Sequence, residues 1–541
     1  MLHLSQTADQ DEPVEALRAA LAWAAGAPGA PPHLAAHHLP RLVALLDAHR
    51  LGARFLRRVR AEGSAPFDEE TLRAVEERLA RTTAAVEQRI ATARRLADRL
   101  RQAGADLPLV LVKGFTLYGL TGDPCHIRRS GDLDVVADEP RRLTELLRAE
   151  GFVPEGELDV LDEYCRLRHP RDGLVEVHSH VRVPRYPEGG DPADVAPGAH
   201  PGDWWQPAYL RTHQLGQRRL AGMLTAPGGV SGLPLLRPEA ALVAQSCHAF
   251  GDYVMAPLPL PEATVRLDEI AAVADLAGLP GFEPGVLAEL VDGTGAHDAL
   301  AFVRSMAVDL LGKDPLAHAA GLPQRCGPRD RFPVDLWWDG VDGYLADLGW
   351  DPGQLLVRDR SAIPAVLDRL GAPVLRLARE GDTCEVRAPG DGSRPSRSVH
   401  RAVPGHAFDV RCRLVRQASG LTATVSLPAA TAGTFSALSL NFGDHRYECF
   451  YEPDTDRFRH DDYSVRAPGA NGFGARRVAR AGRDVFEVEL PWAALGEPQH
   501  GVLPLLLGVR HQRAGWGRML GGAVLPLRLG VHHVNGNAIQ H

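Results

Sequence analysis

The spacing of the hydrophobic residues changes once along the chain, near Ala372–Pro373, and one layer of secondary structure cannot satisfy both patterns. Before that point apolar residues recur three or four positions apart, as in Leu72, Val75, Leu79, Val86, Ile90 and Leu96. Beyond it they alternate with polar residues, as in Leu421-Thr-Ala-Thr-Val-Ser-Leu427 and Val485-Phe-Glu-Val-Glu-Leu490. The first pattern builds helices with one apolar stripe, and the second builds strands with one buried face. A chain of 541 residues is also too long for one ordinary core. The expected fold class is therefore multidomain α+β. Its expected parts are a helical region (1–105), an α/β unit (106–235), a second helical region (236–371) and a β-sandwich (372–541), with turn signals such as Pro389-Gly-Asp-Gly392 between the last strands.

Bulk composition removes several function classes. Hydrophobic residues make up 45% and charged residues 24%, as in a globular protein and unlike a disordered one. No apolar run reaches the roughly 18 residues of a membrane-spanning helix, and the polar, acidic start lacks the order of a signal peptide. Seven cysteines without regular spacing or a CxxC pair suit reduced thiols, so a cytoplasmic location is expected. The net charge of −8 argues against a surface that coats nucleic acid.

The chemistry concentrates between residues 107 and 180. Leu107-Pro-Leu-Val-Leu-Val112 reads as a buried strand ended by Lys113-Gly114, with a helix over 115–120. Asp132-Leu-Asp-Val-Val136 reads as a strand with one buried face, and Pro140–Glu150 as a helix closed by Gly151. Leu174-Val-Glu-Val-His-Ser-His-Val181 reads as one further alternating strand. Residues two apart on a strand share a side, so Asp132 and Asp134 present two carboxylates together. Like charges that close repel unless a cation sits between them, and hard carboxylate oxygens suit Mg²⁺ or Mn²⁺. Glu176 is the candidate third ligand, because its apolar neighbours face the other way. Such a set supports in-line displacement at a phosphate. His178 shares the face of Glu176 and is the candidate to orient that carboxylate or assist the acceptor's deprotonation. Lys113, Gly114, Arg128, Arg129 and Ser130 form the candidate nucleotide-holding set: Gly114 for close approach of backbone to phosphate, the cations for phosphate charge. His180 has a weaker claim, and His248 reads as structural.

Leu111-Val-Lys-Gly114, Arg128, Gly131-Asp-Leu-Asp-Val-Val136, Gly151-Phe152 and Val175-Glu-Val-His178, in that order, resemble the uncharacterised nucleotidyltransferase family of the DNA polymerase β superfamily. The resemblance covers roughly residues 15–310 and extends to Leu235-Leu-Arg-Pro-Glu-Ala-Ala-Leu242, His248 and Leu267-Asp-Glu-Ile270. It implies a polymerase β-like palm and a metal triad of Asp132, Asp134 and Glu176, with an NTP as co-substrate. The superfamily's familiar glycine-serine turn is replaced here by Lys113-Gly114. Asn441-Phe-Gly-Asp-His-Arg-Tyr447 and Asp484–Leu495 resemble the late strands of a carbohydrate-binding, family-9-like sandwich. The expected activity is transfer of a nucleoside monophosphate to a hydroxyl or phosphate, with a small molecule or peptide favoured over RNA as acceptor. A toxin-like tRNA nucleotidyltransferase, or a non-catalytic glycan- or protein-binding chain with a degenerate palm, are the alternatives.

Overall fold

The computed structural model describes residues 8–62, 67–102, 107–128, 132–154, 163–185, 211–216, 221–224, 232–255, 266–319, 322, 336–338, 345–347, 374–388, 409–429, 434–442, 445–452, 457–462, 474–480, 482–495, 502–513 and 519–530. It is a mixed assembly of helices and sheets. Helices α1 (Ala8–Ala24), α2 (Leu39–Ala48) and α3 (Gly52–Glu62) lead into a long α4 (Glu69–Gln102). Asp68 starts α4 by accepting the Thr71 amide proton at 2.7 Å, and Glu69 and Glu70 suit the positive helix start. Val75 of α4 packs with α1–α3, whereas Val86, Ile90, Leu96 and Leu100 pack on the sheet that follows. One helix thus ties two cores together.

That sheet contains β1 (Leu109–Leu111), β2 (Asp132–Ala137), β3 (Val153–Pro154), β4 (Glu163–His169) and β5 (Gly173–His178), ordered β1-β2-β5-β4-β3. Helix α5 (Thr116–Thr121) lies between β1 and β2 in the chain, and α6 (Pro140–Ala149) follows β2. Pro140 opens α6, Leu143 and Leu147 face inward, and Gly151 takes a φ of 93° just past its end. Leu133, Val135, Val175 and Val177 point to the α4 and α6 side, while Val136 points to the opposite side. Both faces are covered.

The expected single strand over 174–181 is two strands. β5 ends at His178, and β6 (His180–Arg185) pairs with β7 (Arg211–Gly216) in a separate ribbon, Ser179 standing between them. Alternation continues through the break, so the pattern alone does not reveal it. His180 therefore leaves the face of Glu176. Strand β4, which the sequence reading lacks, pairs with β5 on its other edge.

Helices α7 (Pro238–Met255), α8 (Leu267–Ala277), α9 (Pro284–Thr294) and α10 (His297–Leu311) come next. Ala240 to Ala244 of α7 are buried without interruption, because α8, α9, α10 and β6 all pack against it. A ribbon of β8 (Leu336–Trp338) and β9 (Leu345–Asp347) precedes the last strands.

The last part holds two sheets. β10 (Val374–Arg376), β14 (Thr434–Phe442), β15 (His445–Glu452), β16 (Arg457–Asp462), β19 (Val502–Arg513) and β20 (Met519–Gly530) make one sheet. β11 (Thr383–Ala388), β12 (Val410–Arg416), β13 (Gly420–Pro428), β17 (Gly474–Arg480) and β18 (Arg483–Pro491) make the other. Alternate residues of both, such as Cys412, Ala423, Val488, Leu440 and Leu507, meet in one apolar cluster drawn entirely from residues 375–529. Gly420 is required where β13 meets β18, since a Cβ there would lie 2.2 Å from the Leu490 carbonyl oxygen.

Candidate active site

The parallel pairing of β2 with β5 sets Asp132 opposite Leu174, Asp134 opposite Glu176 and Val136 opposite His178. Even-numbered residues of both strands project to one side, so Asp134, Glu176 and His178 converge there. Each offers a ligand atom within 4.8 Å of the others, and all three are buried. Asp132 lies on the same strand but is only half-buried and outside that group.

The carboxylates are not left to repel each other. Lys113 Nζ lies 3.1 Å from Asp134 Oδ1, and His178 Nε2 donates to the same oxygen at 2.9 Å. Arg166 Nε stands 2.8 Å from Glu176 Oε1, directly across β4 and β5. Burial works against the charge of Asp134, but the Lys113 ammonium and His178 outweigh it and hold its carboxyl well below the usual carboxylate range. Cationic side chains of the protein thus already stand beside both carboxylates. Two carboxylates and an imidazole, buried and this close, are a donor set that a hard divalent cation fits.

Lys113 carries a second constraint. Its backbone is left-handed (φ 60°), and Arg50 (φ 58°) is the other non-glycine residue of this kind among the described residues. Both line one cleft, open to solvent, between the β1–α5 junction and helices α7 and α8. Such backbone costs about 1–3 kcal/mol and persists where the surroundings impose it.

Arg128 reaches into the same cleft, and its guanidinium is engaged by protein. Nε donates to the Gly114 carbonyl (3.3 Å), Nη1 to Asp268 Oδ2 (3.2 Å) and Nη2 to Gln245 Oε1 (3.1 Å). Arg129 and Ser130 lie outside the described residues. His248 sits 3.6 Å from Glu269, within a buried charge network that includes Arg50 and Arg266. Sequence reasoning missed Arg166, Arg50, Gln245 and Asp268. Only Arg166 had a signal, the alternation of Tyr164-Cys-Arg-Leu-Arg168.

Glu269 yields a prediction about acid stability. Burial opposes its charge, but His248, Arg266, Arg128 and Arg50 outweigh that and hold its pKa at about 2, below the ordinary 4.5. A depressed carboxylate stabilises the fold above its unfolded pKa and loses that contribution as pH falls through the folded one. Stability should therefore decline from about pH 4.5 towards about pH 2. Glu269→Gln should be less stable at neutral pH and show a shallower decline, as measured by urea midpoints across that range.

Asp134, Glu176 and His178, on adjacent parallel strands with Lys113 beside them, form a buried group that could hold a metal ion. Residues 36–262, which include Lys113, Asp134, Glu176 and His178, match the model of a family described as uncharacterised nucleotidyltransferase. The match supports nucleotidyl transfer as the class of activity. No curated protein matches the chain. A carbohydrate-binding module of family 9 from Caldicellulosiruptor kristjanssonii, solved with glucose, aligns with 31% of this chain and 100% of its own. Its identity is 8% and its TM-score 0.21, too low to carry an argument. Among the described residues no helix is long and apolar enough to cross a membrane.

Proposed function

We propose that the chain is a Mg²⁺-dependent nucleotidyltransferase that moves a nucleoside monophosphate from an NTP to an acceptor hydroxyl or phosphate, releasing pyrophosphate. The observation that carries this reading is the register that sets Asp134 opposite Glu176, inside the region matched by the nucleotidyltransferase family. On this reading the five-stranded sheet is a polymerase β-like palm. Asp134 and Glu176 would hold the cation, with Asp132 completing the set from the strand's exposed start and His178 fixing Asp134. When bound, the cation would polarise phosphate oxygens and lower the pKa of the attacking hydroxyl. Lys113 neutralises Asp134 without the cation, and with the cation bound its ammonium would turn to the triphosphate. His178 Nε2, which donates to Asp134, keeps that carboxylate aimed and ionised. Burial of the three groups excludes water that would compete with the acceptor.

Pyrophosphate release tests the acceptor. Wild-type protein with NTPs and Mg²⁺ should release it on addition of a small-metabolite or peptide mixture, and more weakly with tRNA. Release with tRNA alone would favour the tRNA-directed alternative. The same assay with EDTA should give no release.

We further propose that the chain divides near Ala372 and that the two-sheet unit recognises the acceptor. The support is its separate apolar cluster. Truncation after Gly371 should leave binding of a non-hydrolysable NTP with Mg²⁺ within about threefold by calorimetry. Transfer to the acceptor should weaken. Loss of nucleotide binding in a folded truncation, or an insoluble one, would count against this division.

A further inference from the structure

Three residues that line the cleft beside Lys113 each carry a buried side-chain atom with no hydrogen-bond partner: Thr116 Oγ1, Gln245 Nε2 and Asp268 Oδ1. Their residues are 5%, 6% and 3% exposed. Buried polar atoms are seldom left unpaired, and three around one cleft point to a ligand that completes them. Arg128 explains their arrangement. It binds Gln245 through Oε1 and Asp268 through Oδ2, so the amide turns its NH₂ away and the carboxylate turns Oδ1 away. One free donor and one free acceptor are thereby anchored to a single guanidinium.

The cleft's cations do not make it a second phosphate site. Asp268 pairs with Arg128, Asp275 with Arg54, and Glu269 stands 3.9 Å from Arg50. What remains unsatisfied is a neutral edge, which matches a ligand group presenting an acceptor next to a donor. A nucleobase edge or a ribose diol has that chemistry. Lys113, whose ammonium is 3.1 Å from Asp134, also lines this cleft, so an NTP with its phosphates at Lys113 would bring its nucleoside towards it.

We infer that Gln245 and Asp268, clamped by Arg128 and joined by Thr116, form the nucleoside-recognition edge of this protein. The inference rests on the nucleotidyl-transfer reading above and adds the residues that select the nucleotide.

Two isosteric changes test it on the full-length chain. Gln245→Glu turns the free donor into an acceptor, and Asp268→Asn turns the free acceptor into a donor. Each keeps an oxygen for Arg128, and the double variant restores net charge with the edge reversed. Affinities would be measured by calorimetry with Mg²⁺ and non-hydrolysable analogues of ATP, GTP, CTP and UTP, their 2′-deoxy forms, and tripolyphosphate. Each single variant should weaken the preferred nucleotide about tenfold or more, while tripolyphosphate changes by less than about threefold. If the base is read, the double variant shifts preference to another base. If the ribose is read, all bases weaken together in the single variants, and the 2′-deoxy forms bind wild type and variants alike. Thr116→Val leaves the clamp untouched and should weaken nucleotide binding about threefold to tenfold, which keeps the test open should a charge variant fail to fold. Folded variants with unchanged nucleotide affinity, or with tripolyphosphate weakened equally, would overturn the assignment and leave the transfer reading standing. A wild type that binds no NTP in Mg²⁺ would overturn both.

Discussion

Asp134→Asn and Glu176→Gln should each lower nucleotidyl transfer by roughly 10³-fold or more, because on the proposed function each removes a cation ligand that would supply several kcal/mol of transition-state stabilisation. Both changes keep side-chain shape, so neither opens a cavity. Their stability effects should differ. Asp134→Asn leaves the Lys113 ammonium beside a neutral amide in a buried site, which costs about 1–3 kcal/mol. Removing the Asp134 charge relieves no repulsion, since that carboxylate is already balanced by Lys113 and His178. Glu176→Gln should cost less, because its partner Arg166 is 32% exposed and can hydrate. Glu145→Gln, on the exposed face of α6, is the control and should leave activity and stability unchanged. Initial rates with saturating NTP, and urea midpoints for all three variants, make the comparison. Full activity in Asp134→Asn would refute a role for that carboxylate in holding the cation.

The second large effect is on stability and comes from Arg128. Its side chain is 10% exposed and Asp268 is 4% exposed, so Arg128→Met leaves a buried carboxylate without its cation. The Gly114 carbonyl and Gln245 Oε1 lose a donor as well. Removing one partner of such a buried pair costs about 3–5 kcal/mol. Adding Asp268→Asn to Arg128→Met should recover part of the loss, since the uncompensated charge then disappears. Urea unfolding gives the numbers. A loss below about 1 kcal/mol would show that Arg128 is not the clamp described here.

The parts legible in the sequence are those fixed by local period. The helix over 69–102, the strand over 132–137, the Pro140-led helix with its closing glycine, and the alternating strands after residue 409 all follow from spacing and punctuation. Asp134 and Glu176 could be paired because each sits in an alternating run whose other face is apolar. What stayed hidden depends on distant chain. Gln245 and Asp268 meet Arg128 across 117 and 140 residues, and no local pattern encodes that. The break at Ser179 carries no glycine or proline to mark it. At Lys113-Gly114 the glycine marks the strand's end, but nothing local shows that the left-handed residue is the lysine before it. Arg166 needed the register of β4 against β5, which only the folded sheet supplies.

The central claim is transfer of the α-phosphoryl-linked nucleoside, and paired isotopic labelling tests it most directly. Wild-type protein would be incubated with Mg²⁺, a metabolite mixture and an NTP labelled either at the α- or at the γ-phosphate. The α label should move into an acceptor product, the γ label should appear only in pyrophosphate, and both should stay in the NTP in Asp134→Asn. Movement of the γ label into an acceptor, or α transfer that persists in Asp134→Asn, would contradict nucleotidyl transfer at this site.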